Sequence, residues 1–148
     1  MANKSHTHIL ESIRKGDIEA EKLLKWINSL SIKQINDITL IDNESAYTNT
    51  LMTCIYVSNL NVDLKFDSIK SCIIKGGDIF KEPTSVNNET LSTQSFISLL
   101  SMSSAYKTAK LILSDFIIEH YRNKKLNGRD QKAIINLIIN SHKELQFY

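Results

Sequence analysis

Apolar residues recur at helical spacing in several short stretches of the chain, and polar turns separate these stretches. Between Ile9 and Ile27 the pattern is broken once, at Gly16-Asp17. Glycine can end one helix in the left-handed conformation, and aspartate can cap the next helix with its carboxylate. The break therefore predicts two short antiparallel helices, at residues 7–15 and 17–29.

The rest of the chain continues in the same way, which predicts an all-α protein. Three isoleucines from Ile32 to Ile38 indicate a short helical turn, and residues 49–58 are apolar but fit a helix or a strand. A further helix face ends at Gly76-Gly77, and helices are predicted at 95–103 and 105–121. A terminal helix is predicted from about Asp130 to Leu145, with a buried stripe at Ile134, Ile135, Ile138 and Ile139.

Polar stretches separate these helices and predict the loops. They contain the residues that favour turns, mainly Asn, Asp, Ser, Thr and the single proline, Pro83. The predicted loops and linkers cover residues 42–45, 59–67, 81–94 and 123–129.

Three segments share one pattern, a short apolar helix, a small polar turn and a second apolar helix. The pattern is clearest in GDIEAEKLL at 16–24 and IKSCIIKGGDIF at 69–80, and weaker in NTLM at 49–52 and SFISLL at 95–100. These segments resemble the ankyrin repeat. They depart from it because none has the proline or histidine of its Thr-Pro-Leu-His opening, residues 57–67 form an insertion, and the spacing is roughly 43–45 residues instead of about 33.

The resemblance implies one domain over residues 1–148, built from two to three stacked short hairpins with long loops and a C-terminal helix. The hairpins would lie at about 7–29, 49–80 and 95–121, and the terminal helix at about 130–145. Such short hairpins bury their apolar faces only by stacking, and the end units need polar outer faces. Glu11, Arg14 and Lys15 suit one end, and the terminal helix would close the other. A helical bundle unrelated to ankyrin is the alternative.

Composition limits the classes of partner that the chain can attract. The 18 basic and 16 acidic side chains give a net charge of +2, which provides no general attraction to nucleic acid or anionic membrane. The first residues lack the apolar stretch of a secretory signal, and the longest apolar run is far too short to cross a bilayer. We expect a cytoplasmic protein, or one delivered into a host cell without such a signal. Abundant Ile, Asn, Lys and Ser suggest an AT-rich genome, as in an intracellular bacterium or a virus.

The sequence contains no motif for catalysis, metal or cofactor binding. His6 and His8 have no third ligand nearby, and Gly76-Gly77 fits neither nucleotide-binding glycine motif. Cys54 and Cys72 lie in apolar company and are expected to be buried, reduced thiols. We therefore expect no enzymatic activity, no cofactor and no metal.

The candidate partner-binding residues are aromatic and basic. Ankyrin-like arrays bind through loop tips and inner helix faces, which points to residues 40–50, 62–67 and 78–90, whereas Trp26 is expected in the core. A basic run at residues 122–132, which includes Arg129 and Lys132, is either a solvated linker or a contact for an acidic protein or nucleic acid. The candidate residues are Tyr47, Phe66, Phe80, Arg122, Lys124 and Lys125.

The resemblance thus implies a non-enzymatic protein–protein interaction module with an unidentified protein partner. A host-directed or inhibitory role is the narrower hypothesis. A small helical nucleic-acid-associated regulator that uses residues 122–132 is the alternative.

Overall fold

Helices make up most of the structure, a computed structural model that describes residues 4–42, 45–85, 87 and 94–145. Apolar residues at helical spacing form these helices, and polar side chains cap several of them. The helices are α1 (Lys4–Lys15), α2 (Ala20–Ser29), α3 (Ile32–Asn36), α4 (Leu51–Tyr56), α5 (Val62–Ile74), α6 (Phe96–Met102), α7 (Lys107–Tyr121) and α8 (Gly128–Leu145).

The expectation of a purely helical protein was wrong, because a small antiparallel sheet joins two of the loops. Strands β1 (Ile38–Asp42) and β2 (Ser45–Asn49) form a hairpin, and β3 (Thr84–Ser85) pairs with β2. Residues 38–41 are mostly β-branched, and burial alternates over the first three: Ile38 is buried, Thr39 is exposed and Leu40 packs against the core. That period of two is typical of a strand with one buried face.

Helices from different parts of the chain pack side by side. Helix α1 packs against α4, α2 against α5, and α5 against α7, while α6 and α7 both pack against α8. One continuous core runs through these contacts and includes Trp26, which is 8% exposed. The sequence prediction that Trp26 belongs to the core is confirmed.

Two of the turns between helices meet directly. Gly16, in the turn after α1, has a positive φ of 76°. A Cβ atom at this position would lie 2.3 Å from the carbonyl oxygen of Asn59, in the turn after α4. Asn59 also donates its backbone N–H to the carbonyl of Arg14 at 3.1 Å. Only glycine combines this backbone conformation with so close an approach.

Two buried lysines repeat along the chain. Lys65 on α5 and Lys110 on α7, about 45 residues apart, are 2% and 1% exposed. Lys65 Nζ donates to the carbonyl of Ser58 at 2.9 Å, and Lys110 Nζ donates to the carbonyls of Ser101 and Ser103 at 3.2 and 2.5 Å. Each ammonium group thus bonds carbonyls at the end of the preceding helix, which lack partners within that helix.

Helix α5 begins earlier than expected and places Phe66 in the core. Residues 59–67 were expected to form a loop, but the Asn61 side chain caps a helix there, accepting from the backbone N–H of Leu64 at 2.9 Å. Phe66 is 6% exposed and packs edge-on against Tyr56 and Tyr106, with ring centroids 6.2 and 5.8 Å away. Phe66 therefore cannot anchor a partner, and the expectation for residues 62–67 was wrong.

Helix α8 buries a different stripe from the predicted one. Leu137 and Ser141 are buried, and Ile134 and Ile138 are half-buried. Ile135 and Ile139 are 53% and 55% exposed, because the helix rests on α6 and α7 through the ridge centred on Leu137. The outer side of α8 is therefore partly apolar, contrary to the expectation that this helix closes the array.

Candidate partner-binding surface

Aromatic side chains gather at the C-terminal end of α7. Phe116 and His120 are one helical turn apart, and their rings stack with centroids 6.1 Å apart. Tyr121 packs edge-on against His120 at 4.9 Å, and Phe80 packs edge-on against Tyr121 at 5.4 Å. All four rings are half-buried. Each ring thus has a fixed position and still presents part of its area to solvent.

Phe80 is held in place by a polar network around Asn36. The Asn36 amide donates to the carbonyl of Gly76 at 3.2 Å and accepts from the N–H of Asp78 at 2.7 Å. The Asp78 carboxylate then accepts from the N–H of Phe80 at 2.9 Å, which fixes the tight turn. Lys81 adds a bond to the Asn36 carbonyl at 2.9 Å and an ion pair with Asp37.

Two lysines lie over the aromatic rings. Lys70 Nζ, from α5, is 5.8 Å from the centroid of Phe116, and Lys124 Nζ is 5.3 Å from that of Tyr121. Both distances fall within the range of a cation–π attraction. The six side chains form what we call the aromatic–basic surface: Lys70, Phe80, Phe116, His120, Tyr121 and Lys124.

The protonation of His120 is tied to Lys124. The Lys124 ammonium and His120 Nε2 are 3.0 Å apart, and an ammonium group has only donor hydrogens, so Nε2 accepts and the proton sits on Nδ1. Partial burial, and then the charge of Lys124, lower the pKa of His120 from 6.5. Burial raises the pKa of the Tyr121 hydroxyl to about 12. At neutral pH the positive charge of this surface therefore belongs to the lysines.

The Lys124–His120 bond predicts a pH effect. The folded protein resists protonation of His120 more than the unfolded chain does, so this group's contribution to stability is present above pH 6.5 and declines as pH falls below it. We expect the His120 ring protons, followed by NMR, to titrate below pH 6.5 and the Lys124→Ala variant to titrate higher. An unchanged His120 midpoint in the variant would contradict the assignment.

A cleft lies beside this surface, between α6 and α8. Its volume is about 280 Å³, enough for one large side chain, and Phe80 forms part of its wall. Asn140 donates to Ser101 at 2.8 Å across the helix pair, and Met102, 68% exposed, lies at the rim. Arg129 pairs with Glu82 in the same wall. Phe80 thus belongs to both the aromatic–basic surface and the cleft.

The predicted basic run is only partly available to a partner. Arg122 pairs with Glu119 at 2.9 Å, and Arg129 pairs with Glu82. Lys124 and Lys125 are both exposed in the connection between α7 and α8. Arg129 and Lys132 lie on α8, so only the cations from Arg122 to Lys125 stand in the connection itself, and two arginines of the run have carboxylate partners.

The other candidate residues fall in different places. Tyr47 is half-buried on β2, where the strand register places it opposite Leu40 and Ser85. Residues 43, 44, 86 and 88–90, part of the loops expected to bind a partner, lie outside the described residues. Phe116, His120 and Lys70 were missed as binding residues, although Phe116 and His120 share one ridge of the helix predicted at 105–121.

The described residues give little support for a metal site, a reactive thiol or a membrane-spanning helix. No cluster of three His, Cys, Asp or Glu side chains there is arranged to hold a metal ion. Both cysteines are free thiols, and burial raises the pKa of each to about 12. None of the described helices combines the length and apolarity that a membrane span requires.

Comparison with known proteins gives no relatives. The chain matches no family model, and neither the curated proteins nor the solved structures contain a significant match.

Proposed function

We propose that this chain is a non-enzymatic protein-binding module that holds an acidic segment of another protein on its aromatic–basic surface. The observation that carries the proposal is the set of four half-buried rings flanked by Lys70 and Lys124, next to a cleft of about 280 Å³. The cleft would take one apolar side chain of the partner, and the lysines would attract its carboxylates.

The chemistry of this surface suits binding. Rings that are already packed lose little conformational freedom when a partner covers them, so most of the newly buried area contributes to affinity. Lys124 and the adjacent Lys125 would steer an acidic segment and fix its orientation. Surface charges of this kind contribute more to association rate and specificity than to affinity.

We further propose that the helices form an ankyrin-like stack of three hairpins, α1–α2, α4–α5 and α6–α7, with α8 at one end. Three observations support this arrangement: the pairing of α1 with α4, the pairing of α2 with α5, and the contact between the turns at Gly16 and Asn59. Lys65 links the turn after α4 to the turn between α6 and α7, because its ammonium group bonds both the carbonyl of Ser58 and the hydroxyl of Tyr106. A stack of this kind gives the binding surface a rigid base.

A nucleic-acid partner remains the alternative for the basic segment at 122–132. The carboxylates of Glu119 and Glu82 neutralise Arg122 and Arg129, and the whole chain carries a net charge of only +2. Phosphate binding usually depends on several unpaired cations, so the ion pairs favour a protein partner.

Selection from a random peptide library displayed on phage tests the function. We expect the enriched peptides to combine Asp or Glu with one large apolar residue. The selected peptide should lose at least about tenfold in affinity for a Lys124→Glu/Lys125→Glu variant, because both charges are reversed where its carboxylates lie. Fluorescence anisotropy with the labelled peptide measures the change.

The matched control is Lys22→Glu/Lys25→Glu, which makes the same charge change at two exposed lysines of α2. This control should keep the affinity for the peptide within about threefold of the wild-type value, since its charges act on the peptide only at long range. Equal losses in both variants, or enrichment of basic peptides, would refute the proposal. Tighter binding of a single- or double-stranded oligonucleotide, with a steep dependence on salt, would favour the alternative.

A further inference from the structure

The cleft between α6 and α8 has a fixed polar pair in its wall. Ser101, on α6, is 7% exposed, and its Oγ accepts from Asn140 Nδ2, on α8, at 2.8 Å. The backbone carbonyl of Ser101 also accepts from Lys110 Nζ, on α7, at 3.2 Å. Ser101 is thus held from two neighbouring helices, and its hydroxyl has a defined position in the wall of the cleft.

This pair keeps hydrogen-bonding capacity that the fold does not use. A serine hydroxyl has one donor hydrogen, and a carboxamide has an acceptor oxygen beside its two donor hydrogens. Within the part of the chain that the structure describes, neither the Ser101 O–H nor Asn140 Oδ1 has a hydrogen-bond partner. Oδ1 and Nδ2 belong to the same carboxamide group, so Oδ1 lies near Ser101 Oγ. One donor and one acceptor therefore lie side by side in the cleft.

Other parts of the cleft wall are apolar. Phe80 and Ala133 are half-buried there, and Met102 is 68% exposed at the rim. Such surfaces favour a ring or an aliphatic chain, and an aromatic ring covers the largest area. The cleft thus combines an apolar wall with a donor and an acceptor at one point.

We propose that the cleft holds a tyrosine side chain of the partner, with the phenol hydroxyl bound between Ser101 and Asn140. This assignment rests on the proposed function and names the large residue that accompanies the acidic ones. A phenol hydroxyl both donates and accepts. It can donate to Asn140 Oδ1 and accept from the Ser101 O–H, while its ring covers Met102 and Ala133.

Other side chains of the partner match this site less well. Phenylalanine or leucine would displace water from the polar pair without replacing the hydrogen bonds of that water. The indole N–H of tryptophan only donates, so it would leave the Ser101 O–H unpaired. Asparagine or glutamine could bond the pair but would cover less of the apolar wall. The hydroxyl is therefore the group that the cleft selects.

NMR titrations of the ¹⁵N-labelled full chain with N-acetyl-tyrosine amide and N-acetyl-phenylalanine amide test this assignment. We expect the tyrosine probe to shift amide signals from Ser98 to Met102 and from Ala133 to Asn140. It should bind at least about fivefold more tightly than the phenylalanine probe, because a site that bonds a hydroxyl discriminates against the analogue without one. Neither probe is charged, so a failure of the proposed acidic partner would leave this result unchanged.

The Ser101→Ala variant removes the hydroxyl and should reduce the preference for the tyrosine probe to within about twofold. The matched control is Ser71→Ala, which removes a half-buried hydroxyl of α5 that bonds the Asp67 carbonyl at 3.1 Å, outside the cleft. It should keep the wild-type preference.

Several results would overturn the proposal. They are equal affinities of the wild type for the two probes, no binding of the tyrosine probe, or shift changes away from the two cleft segments. A preference that survives in Ser101→Ala, or that falls equally in the control, would also overturn it. The comparison of the two probes on the wild type decides the question even if Ser101→Ala does not fold.

Discussion

Replacing Lys110 with alanine is expected to lower the free energy of unfolding by about 3 kcal/mol. The substitution removes two hydrogen bonds from a charged donor and leaves the carbonyls of Ser101 and Ser103 without that donor. It also empties the space of a side chain that is 1% exposed. Urea denaturation followed by the fluorescence of Trp26, the single tryptophan, measures the change.

Two controls separate the hydrogen bonds from the packing. Lys110→Met keeps most of the side-chain volume but has no donor. We therefore expect it to lower the free energy of unfolding by more than half as much as Lys110→Ala does. Lys22 occupies the matching position in the first hairpin but is exposed, and Lys22→Ala should change stability by less than about 0.5 kcal/mol. A Lys110→Met protein as stable as the wild type would show that the ammonium group does not hold the end of α6.

Gly16→Ala is the second substitution with a large expected cost, again about 3 kcal/mol. Alanine at a φ of 76° costs about 1 kcal/mol for the left-handed conformation. Its Cβ would also lie 2.3 Å from the carbonyl oxygen of Asn59, so one turn must shift, which costs about 1–3 kcal/mol more. The turns after α1 and α4 would then separate and weaken the hydrogen bond between Asn59 and Arg14.

Gly128→Ala is the matched control for this prediction. Gly128 begins α8, has a normal backbone conformation, and a Cβ there would meet nothing within 4 Å. We expect a neutral effect or a gain of up to about 1 kcal/mol, since alanine favours helices. The same urea titrations apply, and equal losses at Gly16 and Gly128 would argue against the contact between turns.

The helices were largely predictable because their apolar faces repeat every three to four residues. Helices α1, α2, α6, α7 and α8 lie close to the predicted positions. The start of α5 was missed, since Asn61 reads as a loop residue until its side chain is seen to cap the helix. The sheet was missed for a similar reason: the alternation at residues 38–40 is too short to exclude a helical turn.

The buried lysines show what a sequence pattern hides. A lysine in a polar-looking stretch normally indicates exposure, and only the tertiary structure reveals which carbonyls need a donor. A signal was nevertheless present. Thr50 and Ser95 cap α4 and α6, and Lys65 and Lys110 follow each cap at the same distance, with a period of about 45 residues. Laying these two segments over each other would have shown the pair.

The binding surface was predicted only in part. Phe80 and Lys124 were found because aromatic and basic residues stand out in polar stretches. Phe116 and His120 belong to the helix predicted at 105–121, and their partial exposure depends on how α5 and the turn at Phe80 approach α7. Phe66 failed as a candidate because its surroundings read as a loop although they form a buried helix.

The most direct test of the proposed function is an NMR titration of the ¹⁵N-labelled protein with the acidic peptide obtained by selection. The account predicts that the largest amide shift changes occur from Phe116 to Lys125 and from Phe80 to Glu82. Shift changes concentrated on α2 or on the β1–β2 hairpin would contradict it and place the binding surface elsewhere.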